Sequence, residues 1–161
     1  MVTGILIPHD TTLAIHKIEL ETLADYQQAV GGYVEMIPLA DHQLVIIANE
    51  EGKLRSLALN PRATYLWWLL NPQRIGNDEL VGDVLLVGGV EIEEITRVPT
   101  KLMTLLLESR HFQVQVMLSR EFETWVPIGP PVDDFFEATV RALKLMEVWN
   151  SPYDVDVVAV G

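Results

Sequence analysis

The chain has 161 residues, 49 % of them hydrophobic, enough to close one core and too little for two large domains. It contains no cysteine, which excludes disulfides, thiolate nucleophiles and cysteine-ligated zinc or iron–sulfur sites. Twenty-three acidic against 11 basic side chains give a formal net charge of -12, which repels nucleic acid at long range and favours basic partners.

The opening residues, Met1-Val2-Thr3-Gly4-Ile5, carry no basic stretch followed by an apolar one, so no secretory leader is expected. Gly4 to Pro8 is a short apolar run closed by proline, and His16 to Leu20 alternates; two strands are predicted. Thr22 then caps a helix in which Leu23, Tyr26, Gln27 and Val30 recur at helical spacing. Asp25 stands where a capping box needs an acid, and Gly31-Gly32 ends the helix. Tyr33 to Leu39 and Leu44 to Ala48 read as strands joined at Asp41-His42. Asn49 to Gly52 makes the next turn, with Gly52 at a positive-φ position, and Lys53 to Leu57 is predicted as a shorter returning strand.

Asn60-Pro61 opens a helix that runs to Leu70 and stops at Asn71-Pro72. A polar connection from Ile75 to Leu80 leads into a strand from Val81 to Val87, closed by Gly88-Gly89, with Val90 to Ile95 as its return partner. Pro99 to Arg110 is predicted as a helix, Phe112 to Leu118 as a strand and Glu121 to Ile128 as another, with Gly129-Pro130-Pro131 breaking the chain. Asp133-Asp134 favour a helix start, and that helix reaches Trp149 before Asn150-Ser151-Pro152. Val155 to Val160 forms a terminal strand. The expected class is α+β: an antiparallel or mixed sheet, including strands near 4–8, 33–39, 44–48, 81–87 and 112–118, packed by about four helices. A single domain over 1–161 is expected, with a possible subdomain border near Gly88-Gly89. No apolar stretch reaches the roughly 18 residues of a membrane helix, so a soluble, cytoplasmic chain is expected.

Chemistry is thinly signalled. His9, His16, His42 and His111 stand in no metal-binding spacing, so neither a metal nor another cofactor is expected. Asp133/Asp134 and the Glu91/Glu93/Glu94 group are the densest acid, yet one pair starts a helix and the other lies on a solvated strand face. The glycine pairs form no phosphate-binding loop, and no serine sits in a nucleophile elbow. No catalytic residue is assigned. Trp67 and Trp68 are adjacent, so on a helix they diverge by about 100° and cannot both enter one core layer. One is expected under the carboxyl-terminal helix and the other at a core margin or a homodimer contact.

Four phrases in order, Gly31-Gly-Tyr-Val-Glu35, Asn49-Glu-Glu-Gly-Lys53, Asn60-Pro-Arg-Ala-Thr64 and Val81-Gly-Asp-Val84, carry a resemblance. Across about the first 88 residues the chain resembles a small domain family of unknown function found in actinobacteria, their phages and plasmids. The resemblance implies an accessory protein in a phage or other mobile-element setting, and it implies no catalytic residue, substrate or cofactor. Tyr33, Glu35, Asn49, Glu50, Asn60, Arg62 and Thr64 are the surface candidates, with Trp67 and Trp68 beside them. Each has a structural alternative, as turn, cap, strand packing or helix filling. The leading expectation is a binding protein for a host protein or a small ligand. The alternatives are a compact enzyme gathering Glu35, Asn49, Asn60 and Arg62, and an acidic DNA-mimic inhibitor. Direct nucleic-acid binding is not expected, because the basic residues are dispersed.

Overall fold

The computed structural model describes residues 1–91, 94–149, 151 and 154–161. It is an α+β structure of four helices and antiparallel sheets. Two compact units divide the chain: residues 1–64 with 76–107, and residues 65–75 with 108–161. Gly88 and Gly89 lie inside the first.

In the first unit, β1 (Val2–Ile7), β2 (His16–Leu20), β3 (Val34–Leu39), β4 (Leu44–Asn49) and β5 (Val84–Gly88) form one sheet in the order β2-β1-β5-β4-β3. Every neighbouring pair is antiparallel. Helix α1 (Leu23–Val30) starts at the expected capping box, in which Thr22 and Asp25 exchange side-chain and backbone bonds. Gly31 ends it at φ 79°, a left-handed angle that favours glycine. Tyr26 and Val30 of α1 pack with Leu20, Val45, Ile47, Leu85 and Val87 into a buried apolar cluster. Leu23 is 63 % exposed and takes no part, although seven residues before Val30 it shares that residue's side of the helix. Strand β4 is buried at every position, which matches its unbroken apolar run from Leu44 to Ala48 and means that both its faces are covered.

Several expectations for this unit are corrected. Lys53 to Leu57 is a run of turns, because Gly52, Lys53 and Glu51 carbonyls bond to amides only three to five residues on and not to a neighbouring strand. The positive φ falls at Ser56, 54°, and not at Gly52; a Cβ on Gly52 would stand 2.8 Å from the Val81 side chain, so closeness explains that glycine. Strand β5 begins at Val84, after Val81 has bridged to Leu59, and its partners are β1 and β4. The stretch expected as its return partner instead pairs with itself, β6 (Val90–Glu91) against β7 (Glu94–Ile95). Ile92 and Glu93 lie outside the described residues, and with them part of the Glu91/Glu93/Glu94 group. The helix expected over Pro99 to Arg110 is α3 (Thr100–Met103) continued by a π-helical turn, Thr104–Glu108. Apolar spacing reports a buried face and not the hydrogen-bond pitch over a single turn.

The second unit holds β8 (Phe112–Ser119), β9 (Thr124–Val132) and β10 (Val155–Ala159) in a separate sheet of order β10-β8-β9. The strand expected near 112–118 is therefore not part of the larger sheet. Gly129-Pro130-Pro131 does not break the chain either; it lies within β9. An edge strand tolerates residues without an N–H, and the register shifts there. The buried Gln113 amide donates to the carbonyls of Ile128 (3.1 Å) and Gly129 (2.9 Å), meeting acceptors that the irregular ladder leaves over. Asp134 caps α4 (Phe135–Met146) by accepting from the Glu137 amide, and Phe135, Ala138, Thr139, Ala142, Leu143 and Met146 form its buried face. That helix packs on all three strands and ends three residues short of Trp149. Asn150 and Pro152, expected as its stop, lie outside the described residues. Helix α2 (Pro61–Leu70) crosses from the first unit to the second at Tyr65. Among the described residues no helix is long and apolar enough to cross a membrane.

Candidate functional site

The end of α1 and the turn after β4 are locked together. Asn49, 5 % exposed, donates from Nδ2 to the Val30 carbonyl (3.1 Å) and accepts the Glu51 amide at Oδ1 (2.8 Å). Arg55 donates to the Gly31 carbonyl (2.8 Å). A polar amide and a cation thus meet carbonyls that a helix terminus leaves unpaired. Gly32 must be small here, since a Cβ would lie 2.8 Å from Asn49 Nδ2.

The Asn60 to Thr64 segment performs a similar task at the start of α2. Asn60 is wholly buried: Oδ1 accepts the Ala63 amide (3.0 Å) as a cap, while Nδ2 donates to the carbonyls of Ile7 (2.8 Å) and Gly82 (2.9 Å). Arg62 Nη2 donates to three carbonyls of the loop after β1, those of Pro8, Asp10 and Leu13. The Thr64 hydroxyl accepts the Leu80 amide at 2.9 Å. Asp83, next to Gly82 in its left-handed turn (φ 72°), accepts both the backbone and the ring nitrogen of His9. Asp10 closes its own loop on Thr12, whose hydroxyl and amide hold the Asp10 carboxyl below its usual range.

These locks leave a groove of about 240 Å³ on the first unit. Glu35 and Ile37 of β3, Ala48 and Asn49 of β4, Glu50, Lys53 and Leu54 of the turn, and Asp78 to Val81 line it. Its ionisable rim is Glu35, Glu50, Asp78 and Glu79 against Lys53, and Lys53 is already paired with Asp78. The apolar groups are Ile37, Ala48, Leu54, Leu80 and Val81, with Leu54 88 % exposed. Carboxylates interspersed with aliphatic groups attract a cationic group carried on an aliphatic stem.

Of the residues predicted from sequence, Glu35, Asn49 and Glu50 come together at this groove. Tyr33, 65 % exposed, lines a second cleft of about 240 Å³ with Gln27, Gly32, Asn49, Glu51 and Arg55. Asn60, Arg62 and Thr64 line neither cleft and hold backbone instead. Trp67 and Trp68 belong to the second unit; Trp67 is 3 % exposed with the Arg74 guanidinium 5.8 Å from its ring centre, and Trp68 is half-buried against Tyr65. Leu54, Asp78 and Glu79 were not singled out by the sequence, and Lys53 only as the end of the Asn49-Glu-Glu-Gly-Lys53 phrase. The adjacent acids at 78 and 79 were the available signal, and only the tertiary fold sets them opposite Glu35. His111 pairs with Asp133 at 2.9 Å on the second unit. Among the described residues no three histidine, aspartate or glutamate side chains converge as metal ligands would.

The family model described as a domain of unknown function, DUF3846, matches residues 2–111, and the chain belongs to that family. The match runs past residue 88, where the sequence resemblance ended, and takes in α3 and its π-helical turn. No curated protein and no solved structure matches the chain.

Proposed function

We propose that this DUF3846 member is an accessory binding protein of a phage or other mobile element, and that it holds a basic segment of a protein partner in the Glu35–Glu79 groove. The observation that carries the reading is a groove lined by four carboxylates with aliphatic groups among them, on a chain of net charge -12. Such a groove steers a cation in and rewards the burial of its stem. An enzyme built from Glu35, Asn49, Asn60 and Arg62 has less support, because Asn60 and Arg62 spend their side chains on backbone carbonyls of other elements. DNA mimicry needs acid spread along an elongated face at roughly 7 Å intervals. The acid that supports the present reading instead rims a concave site.

Capture from host lysate tests it. The native chain is compared with the double reversal Glu35→Lys/Glu79→Lys and with a control reversal, Glu121→Lys/Glu147→Lys, which changes net charge equally on exposed positions of the second unit. The reading expects a partner that the first variant loses and the control keeps. Equal loss in both, or in neither, counts against the groove.

A further inference from the structure

The groove is bounded on one side by β3, and β3 is an edge strand. Its ladder parity follows from one bond. The Glu50 amide donates to the Tyr33 carbonyl at 2.8 Å, in the same register that pairs Val34 with Asn49. Positions 33, 35, 37 and 39 therefore bond toward β4, and positions 34, 36 and 38 turn their backbone groups away from it. Pro38 stands at one of the outward positions, where its missing N–H costs no ladder bond. Val34 and Met36 each point one N–H and one C=O outward, and among the described residues neither group has a hydrogen-bond partner.

The other edges of the five- and three-stranded sheets are guarded. Strand β9 carries Pro127, Pro130 and Pro131; on β10 the Asp156 carboxylate takes the Val157 amide at 2.8 Å; β2 presents Lys17 and Glu19. Strand β3 carries Pro38 near one end and a single charged residue, Glu35. Its groove-side face shows Glu35 and Ile37, two residues apart, and the rest of the acid lies beyond them.

Building on the groove reading above, we propose that the partner segment binds in extended form as a sixth strand on β3. It bonds to the backbone of Val34 and Met36 and sets a Lys or Arg against Glu35 with an aliphatic residue two positions away against Ile37. Main-chain bonds then supply affinity, and the alternating side chains supply selectivity. The occupant is a heterologous protein and not a second copy, since another chain brings the same charge of -12 to an acidic rim.

The full chain is probed with an array of random octapeptides. The proposal expects enrichment of peptides with a basic and an aliphatic residue two apart, in either order according to strand direction. The best peptide is then remade with single N-methyl groups at each backbone amide. Methylation at one parity, facing β3, should weaken binding about tenfold per bond lost, and methylation at the other parity should leave it within about twofold. Met36→Pro, which removes one outward N–H and no ladder bond, should weaken binding by a similar factor; the peptide series stands independently of how that variant folds. Basic peptides that bind without regard to spacing or methyl parity overturn strand addition and leave the acidic groove in place. An array with no basic enrichment overturns both.

Discussion

Replacing Asn60 by Ala separates a structural from a ligand-binding role for the Asn60-Pro-Arg-Ala-Thr64 phrase. The side chain is wholly buried and makes three bonds: the cap to Ala63 N, and two donations to Ile7 and Gly82 carbonyls. Loss of the cap costs about 1 kcal/mol. Two buried carbonyls deprived of their donor cost about 1 kcal/mol or more each, so the expected loss is about 3–5 kcal/mol. That is a large share of the roughly 5–15 kcal/mol that holds a domain folded. Urea melts followed by circular dichroism should show a lower midpoint at unchanged slope. Asn60→Asp keeps the cap acceptor but aims a carboxylate at two carbonyl oxygens, which favours its protonated form and raises its folded pKa. Stability of that variant is then greatest below the unfolded carboxylate value of about 4 and falls as pH rises through the folded value. An Asn60→Ala chain within about 0.5 kcal/mol of the native one would refute the staple and return Asn60 to the list of binding candidates.

Arg62→Lys should leave the fold intact but loosen residues 8–13, because one ammonium cannot reproduce the planar donor that meets three carbonyls; faster hydrogen exchange at the Leu13 amide, which bonds to Asp10, checks it. The amides of Thr22 and Glu21 hold the Asp25 carboxyl below its usual range, so its contribution is present above the unfolded value and is lost as pH falls through the folded one. Thermal melts from pH 7 to pH 3 should therefore fall less steeply for Asp25→Asn than for the native chain, and parallel curves would contradict the capping account. Trp67→Ala should lower stability by about 3–5 kcal/mol, whereas Trp68→Ala, at a half-buried position, should lower it less and weaken any self-association seen by sedimentation. Equal losses with an unchanged oligomer would place both indoles in the core.

Local chemistry made much of the fold legible. The capping box at Thr22, the glycine stop at Gly31, the cap at Asn60 and the apolar run of β4 each act over a few residues, and each stands where the sequence put it. What failed was decided at longer range. Whether 112–119 joins the larger sheet depends on pairing partners, and Lys53 to Leu57 alternates in polarity yet has no strand to pair with. The prolines at 130 and 131 looked like a break because their place on a sheet edge is not a sequence property. The same holds for the site. Family wording drew attention to Glu35, Asn49 and Glu50, but it equally marked Asn60 and Arg62, whose side chains proved to be backbone ligatures. Asp78 and Glu79 enter the groove only because Leu80 is tied to Asn60 and Thr64.

The groove reading is tested most directly by amide chemical shifts of the isotope-labelled chain, recorded as the captured partner is added. The account predicts that the changes concentrate at residues 33–37, 49–54 and 78–81 and weaken with added salt, as an acidic rim meeting a basic segment requires. Largest changes on the second unit, or a response around the groove that salt does not diminish, would contradict it.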